Sequence, residues 1–220
     1  MGKTAIVFGA TGLVGSYLVS ELIGSKRYSM IRIFTRTSTG LEHVNLDERV
    51  VEIEKPDSYA SMLSGDDLFI CTGTTYKKTG SIKRVEEIDR DLPIIIARKS
   101  QEKGVKKIAV VSSIGANPGA KSFYMRIKGE MESGIRDLKF DRTVLVRPSM
   151  LLGKRKEFRI IESIGQTFAR VMGFVLLGPL KKFRGIHGRD VARAMINTIN
   201  TDSTQIVYRS DELKLLAETG

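Results

Sequence analysis

The chain has 220 residues, 41% of them hydrophobic and 28% charged, the profile of an ordinary globular protein and not of a disordered or fibrous one. Its single cysteine, Cys71, excludes a disulfide framework, and the longest mostly apolar run, Val171 to Leu180, is far short of the ~20 residues that a spanning helix needs. With 36 basic residues against 25 acidic ones the net charge is +11, a field that favours anionic ligands without choosing among nucleic acid, acidic lipid and a phosphorylated cofactor.

At this length a single domain, residues 1–220, is expected. The first strand, Thr4–Phe8, follows one lysine and runs straight into a glycine turn, which is unlike a secretory signal. Together with the solitary thiol, this leads to the expectation of a cytoplasmic protein without a membrane span.

Immediately after that strand comes Gly9-Ala10-Thr11-Gly12-Leu13-Val14-Gly15, followed by a helix over Leu13–Ile23. Glycines at these spacings allow a tight turn, a close approach of pyrophosphate to the backbone, and close packing of helix on strand. The helix then points its free N–H groups and positive dipole end at the phosphates. A nucleotide-hydrolysing P-loop would need Gly-Lys-Ser/Thr, and here Gly15 is followed by Ser16 and Tyr17.

The second strand, Ile31–Thr35, leads into Arg36, Thr37 and Ser38, and no acid occurs from Ile31 to Leu41. An NAD-specific site usually carries an acid there to hold the ribose hydroxyls. Arg36, with hydroxyls from Thr35, Thr37 and Ser38, suits a 2′-phosphate instead. NADP is therefore expected in preference to NAD.

Further along, strands are expected at Val50–Ile53, Leu68–Cys71, Ile108–Ser112, Thr143–Val146 and Gln205–Tyr208. The expected helices lie near Ser58–Leu63 and over Ile82–Lys103, Phe123–Arg136, Phe158–Val171 and Asp190–Ile199. Runs such as Ala5-Ile6-Val7-Phe8 lack polar alternation, as strands buried on both faces do. The alternation of strand and helix predicts an α/β, doubly wound parallel sheet (a Rossmann fold), with ligands beyond the carboxyl ends of the strands.

The fifth strand ends in Ser112-Ser113, and Tyr124 and Lys128 follow at helical i, i+4 spacing, on one face. A tyrosine's ordinary pKa near 10 is too high for proton exchange near neutrality. A neighbouring ammonium favours the phenolate and brings the group into range. Ser113 or Ser112 is placed to hydrogen-bond a substrate carbonyl.

Gly9–Gly15, Ser112-Ser113 and Tyr124/Lys128 together resemble the short-chain dehydrogenase/reductase superfamily. Cys71-Thr72-Gly73-Thr74-Thr75, Val146–Gly153 and Ile186–Ala194 resemble its extended and atypical branches. The compact Tat-interacting-protein-like oxidoreductases are most similar, through residues 71–75, the Asp89-Arg90-Asp91 triplet, and 124–132. The resemblance covers roughly residues 4–200.

It implies that Gly9, Thr11, Gly12, Leu13 and Val14 hold the pyrophosphate, Arg36 the 2′-phosphate, and Cys71, Thr72 and Gly73 the adenosine ribose side. It implies further that Tyr124 exchanges the proton, that Lys128 also bonds the nicotinamide ribose, that Ser113 is the catalytic serine, and that Arg147-Pro148-Ser149 border the nicotinamide. The serine register stays open, because the spacing from Ser113 to Tyr124 is short, and the usual Asn-Ala-Gly segment is replaced by Cys71-Thr72-Gly73.

The expected activity is hydride transfer between NADP and a carbonyl or alcohol substrate. Two alternatives stay open: an NADP(H)-binding regulator without turnover, acting on a protein partner, and a sugar-nucleotide epimerase. The second has only residues 154–220 from which to build a sugar-nucleotide domain.

Specific nucleic-acid binding lacks a supporting motif. With His43 and His187 the only histidines, no metal site is expected. The region of about 154–185 is expected to cover the substrate as a small lid, and the basic residues from Lys154 to Arg193 read first as a solvated face. A homodimer contact through Val171–Leu180 is left open.

Overall fold

A computed structural model describes residues 2–74, 76–153 and 185–219 of the chain. Six strands, β1 (Lys3–Phe8), β2 (Tyr28–Thr35), β3 (Leu46–Val50), β4 (Asp67–Ile70), β5 (Lys107–Val111) and β6 (Arg142–Arg147), form most of one sheet. A short pair, β7 (Leu151–Leu152) and β8 (Ile186–His187), stands apart, and β9 (Val207–Arg209) completes the large sheet. The order is β3-β2-β1-β4-β5-β6-β9, every pairing parallel. This is a doubly wound Rossmann sheet, and it reverses direction beside β1, where such sheets bind ligands.

The buried run of β1 shows why the sheet is covered on both sides. Ala5 and Val7 pack with Val14, Leu18 and Leu22 of α1 (Leu13–Gly24) on one face. Ile6 and Phe8 lie in the other half of the core, with Tyr59, Leu63, Ile96, Met131 and Ile135.

After β4 come a single turn, α2 (Tyr76–Thr79), and then α3 (Ile82–Glu86), capped by the Ser81 hydroxyl, which accepts from Arg84 N–H at 3.3 Å. A π-helical turn over Glu87–Asp91 separates α3 from α4 (Leu92–Glu102), so the single helix expected over Ile82–Lys103 is broken in its middle. Pro93 is the cause we assign: it has no N–H to offer the carbonyl one turn back, at Asp89, and its ring crowds that carbonyl.

Next are α5 (Phe123–Asp137), on the α4 side, and α6 (Gly188–Ile199), on the α1 side. Last is α7 (Ser210–Glu218), which the sequence reading did not foresee. The buried Arg142 guanidinium donates to Thr198 and Gln205 carbonyls and to the Tyr208 hydroxyl, tying β9 and α6 to β6.

One expected strand is displaced. The apolar residues of Val50–Ile53 predict a strand there, but the strand is Leu46–Val50. It is a sheet edge, half in water, and Asp47 pairs there with Arg32 and Arg49. The buried Ile53 belongs to the core below the sheet. The expected helix Phe158–Val171, the run Val171–Leu180 and, apart from Gly185, the lid of about 154–185 lie outside the described residues. Among the described residues, no helix is long and apolar enough to cross a membrane.

Candidate active site

The glycine turn sits where β1 meets α1. Gly9 has φ +81°, and a Cβ there would lie 2.5 Å from the Cys71 carbonyl carbon. Both the conformation and the space admit only glycine. At Gly15 an added Cβ would fall 2.0 Å from Gly9 O, so that glycine lets α1 close onto the turn.

Gly12 is the N-cap of α1, with no capping side chain and no acid in the first turn. The N–H groups of Leu13 and Val14 therefore face the turn without a competing carboxylate, as a bound anion requires. Nearby, Thr72 Oγ1 is buried and has no hydrogen-bond partner among the described residues. A bare helix terminus, a glycine cradle and an orphaned hydroxyl fit a dinucleotide.

Arg36, just past β2, is exposed. Two of its expected hydroxyl neighbours, Thr35 and Ser38, are otherwise engaged. Glu48 of β3, which the sequence reading missed, accepts from Thr35 Oγ1 at 3.1 Å, Ser38 Oγ at 2.9 Å and Thr39 N–H at 2.8 Å. Burial alone would raise this carboxyl, but those donors outweigh it and hold Glu48 below the usual carboxylate range. Thr35 and Ser38 thus build the turn that presents Arg36 and are not free for a phosphate. Burial pushes the Cys71 thiol up to about 12, which disfavours the thiolate.

Beyond β5 the chain continues beside the segment after β6. Ser112 N–H donates to Val146 O at 2.8 Å and Ile114 N–H to Pro148 O at 3.0 Å, which brings Ser113 alongside Arg147-Pro148-Ser149. The loop then folds onto α5. Asn117 N–H donates to Met125 O, and a Cβ on Gly129 would lie 2.2 Å from Asn117 C. Strand-end serines and the Tyr124/Lys128 helix are thereby joined.

The two serines differ. Ser112 is buried and donates to Glu132 Oε1 at 2.5 Å, whereas among the described residues the Ser113 hydroxyl has only a 3.3 Å contact to Ile114 O. Glu132 also accepts from Arg147 Nε at 2.8 Å and Nη2 at 2.5 Å, so the Arg147 guanidinium is held inside and braces β6 against α5.

Tyr124 is 42% exposed, and Lys128 only 2%. The Lys128 ammonium lies 6.0 Å from the centre of the Tyr124 ring. Its partner is Asp89, in the π turn, at 2.7 Å; Asp89 also accepts from Thr74 N–H at 2.8 Å. Burial alone would lower the lysine, but Asp89, together with Tyr124 and Glu132, outweighs it and holds the ammonium above its ordinary range. The Asp89-Arg90-Asp91 triplet carries a family resemblance but implies no role for Asp89, and Pro93 is the local signal for its unusual turn.

His187 caps α6, its Nδ1 accepting from Arg189 N–H at 3.2 Å. Asp190 lies in that helix's first turn, and Arg189 and Arg193 both pair with Glu21 of α1.

A parallel Rossmann sheet with a glycine turn and a tyrosine–lysine helix defines a nucleotide-binding protein of the short-chain dehydrogenase/reductase type. A family model described as NAD(P)H-binding matches residues 9–202, and the chain belongs to that family, as an atypical short-chain dehydrogenase/reductase similar to the Tat-interacting-protein group. "Protein FMP52, mitochondrial" of Coccidioides immitis is 34% identical over 210 residues, covering 90% of this chain and 85% of that protein. "Protein HTATIP2" of Rattus norvegicus is 34% identical over 170 residues, covering 76% of this chain and 70% of its own.

Among solved structures, UDP-glucose 4-epimerase of Thermotoga maritima superposes with a TM-score of 0.69 at 17% identity, covering 98% of this chain and 82% of the epimerase. That likeness shows the fold alone.

The names correct one expectation. FMP52 relatives from Coccidioides immitis, Candida glabrata and Candida albicans are called mitochondrial, which points away from the cytoplasm. A solitary thiol suits any reducing compartment and does not distinguish the cytosol from an organelle.

Proposed function

We propose that this chain is an NADP-dependent oxidoreductase acting on a carbonyl or alcohol carbon. The observation that carries the reading is the pairing of an exposed Tyr124 with a buried Lys128 on one helix, joined by Gly129 to the loop of Ser113. The bound cofactor would supply a hydride donor or acceptor, chemistry that no side chain offers.

Gly9, Thr11, Gly12, Leu13 and Val14 would hold the pyrophosphate, Arg36 the 2′-phosphate, and Cys71, Thr72 and Gly73 the adenosine ribose side. The hydroxyl of Tyr124 exchanges a proton with the substrate oxygen, and Ser113 hydrogen-bonds the same oxygen. Ser113 takes this role because Ser112 is engaged with Glu132. Lys128 reaches the nicotinamide ribose, and the backbone of Arg147-Pro148-Ser149 borders the ring site. These residues supply orientation and a proton.

The test is NADPH oxidation against a panel of aldehydes and ketones. The wild type should turn over, and Tyr124→Phe should lose roughly 100-fold or more in kcat while keeping NADPH affinity. Lys128→Ala should lose both. Retained NADPH binding with no turnover on any substrate would replace the enzyme by a cofactor-dependent regulator.

A further inference from the structure

Resting on that reading and deepening it, we infer that Asp89 is a positioning residue, the group that fixes the Lys128 ammonium toward the cofactor site and locks α5 to the loop after β4. The two charged groups are almost wholly out of water, with side-chain exposures of 3% for Lys128 and 0% for Asp89, and they meet at 2.7 Å. Stability alone is a weak reason for such a pair, since apolar side chains of the same volume often serve a core as well.

The carboxylate has two engagements on two elements. Oδ1 takes the ammonium from α5, and Oδ2 takes the Thr74 N–H from the loop that continues Cys71-Thr72-Gly73. A Cβ on Gly73 would lie 3.3 Å from Oδ1, so the loop passes directly against the carboxylate. Asp89 reaches both from the π turn that Pro93 imposes, and such turns recur at functional sites.

One side chain therefore sets the distance between the nucleotide-side loop and the helix bearing Tyr124. The titratable groups around Lys128 are Asp89 from the π turn and Tyr124 and Glu132 from α5. Glu132 is already held by Arg147 and Ser112. Tyr124 thus faces an ion pair, not a lone ammonium, and the role of Lys128 is geometric before it is electrostatic.

The experiment compares wild type, Asp89→Asn and Lys128→Met, with NADPH affinity read by fluorescence titration from pH 6 to 10. Asparagine can still accept from Thr74 but leaves a buried ammonium without its counter-charge. Burial then lowers that lysine, and its proton is lost as pH rises. Asp89→Asn should bind NADPH roughly 10-fold more weakly than wild type, with an added loss toward alkaline pH that wild type lacks. A general loss of packing would lower the Tm but produce no such step.

The second readout is independent of nucleotide. In protein labelled with 15N-lysine, the Nζ resonance missing from Lys128→Met should stay protonated to pH 10 in wild type and titrate below that in Asp89→Asn. Equal NADPH affinity, a flat profile and an unmoved Lys128 resonance in Asp89→Asn would overturn the inference. Failure of wild type to bind NADPH would sink the proposed function while the NMR arm still decides on Asp89.

Should Asp89→Asn not fold, the double variant Asp89→Leu/Lys128→Met should, because no charge is left unpaired. A double variant that stays unfolded while Lys128→Met folds would assign Asp89 to Thr74 alone and overturn the pairing.

Discussion

Arg36 makes no ion pair or hydrogen bond among the described residues, whereas Arg32, four residues earlier and on β2, is anchored to Asp47 and the Met62 carbonyl. An exposed guanidinium past the end of β2, on a turn braced by Glu48, is available for a 2′-phosphate. Arg36→Ala should weaken NADPH binding by about 2 kcal/mol, roughly 30-fold, and leave NADH binding within a factor of about two. Calorimetry with both nucleotides checks this, and equal weakening of both would defeat the assignment.

At this scale the sequence is legible where chemistry and short-range spacing coincide. Tyr124 and Lys128 are one helical turn apart, and the glycines of the turn stand between a strand and a helix. The residues that escaped are the carboxylates that organise these groups. Asp89, Glu132 and Glu48 meet partners supplied by other elements, and no local period announces such meetings. The two serines are told apart in the same way, since Glu132 engages the Ser112 hydroxyl and not that of Ser113.

Between elements, the contact that joins the serine loop to the tyrosine helix rests on Gly129. An added methyl would come 2.2 Å from Asn117 C and 2.3 Å from Pro118 N, both backbone atoms with little freedom to yield. Alanine in a helix interior is favoured over glycine by about 1 kcal/mol, but overpacking of this kind costs about 1–3 kcal/mol or more. Gly129→Ala should therefore lower the Tm and, by pushing Ser113 away from Tyr124, lower kcat as well.

Gly24, at the end of α1, has no atom of the described residues beyond its own helix backbone and chain neighbours within 4 Å of such a methyl, and Gly24→Ala should leave the Tm unchanged or raise it slightly. Thermal melts of the two variants side by side check the contrast, and similar shifts in both would remove Gly129 from this role. Element types and their order were readable because buried parallel strands are continuous apolar runs. The edge strand β3 was misplaced because half of it faces water and its pairing is made by Asp47, Arg32 and Arg49. The π turn went unread because Pro93 lies inside a segment whose other residues favour a helix, and α7 because its short apolar face follows a stretch without motifs.

For the whole molecule, charge and acid stability are linked through that same edge. The chain carries +11 at neutrality, and each carboxylate that takes up a proton adds to its self-repulsion. Burial alone would raise the carboxyls of Asp47 and Glu48, yet both lie below the usual range, Asp47 through Arg32 and Arg49, and Glu48 through Thr39, Ser38 and Thr35.

The sign follows from the direction of the shift. A folded-state pKa below the unfolded one means that the unfolded chain binds the proton first as pH falls. The contribution of Glu48 is complete above its ordinary value of 4.5 and is lost as pH drops through the lowered folded value. At pH 7, Glu48→Gln should be less stable than wild type by roughly 1 kcal/mol, because an amide is a weaker acceptor for three donors.

Urea midpoints at pH 7, 5, 4 and 3 should show that gap closing between pH 5 and 3, with wild type falling toward the variant. Because Thr35, Ser38 and Thr39 form the turn that carries Arg36, NADPH affinity in wild type should fall over the same interval. Stability curves that remain parallel down to pH 3 would show that Glu48 keeps its proton state there and that other carboxylates drive the acid transition.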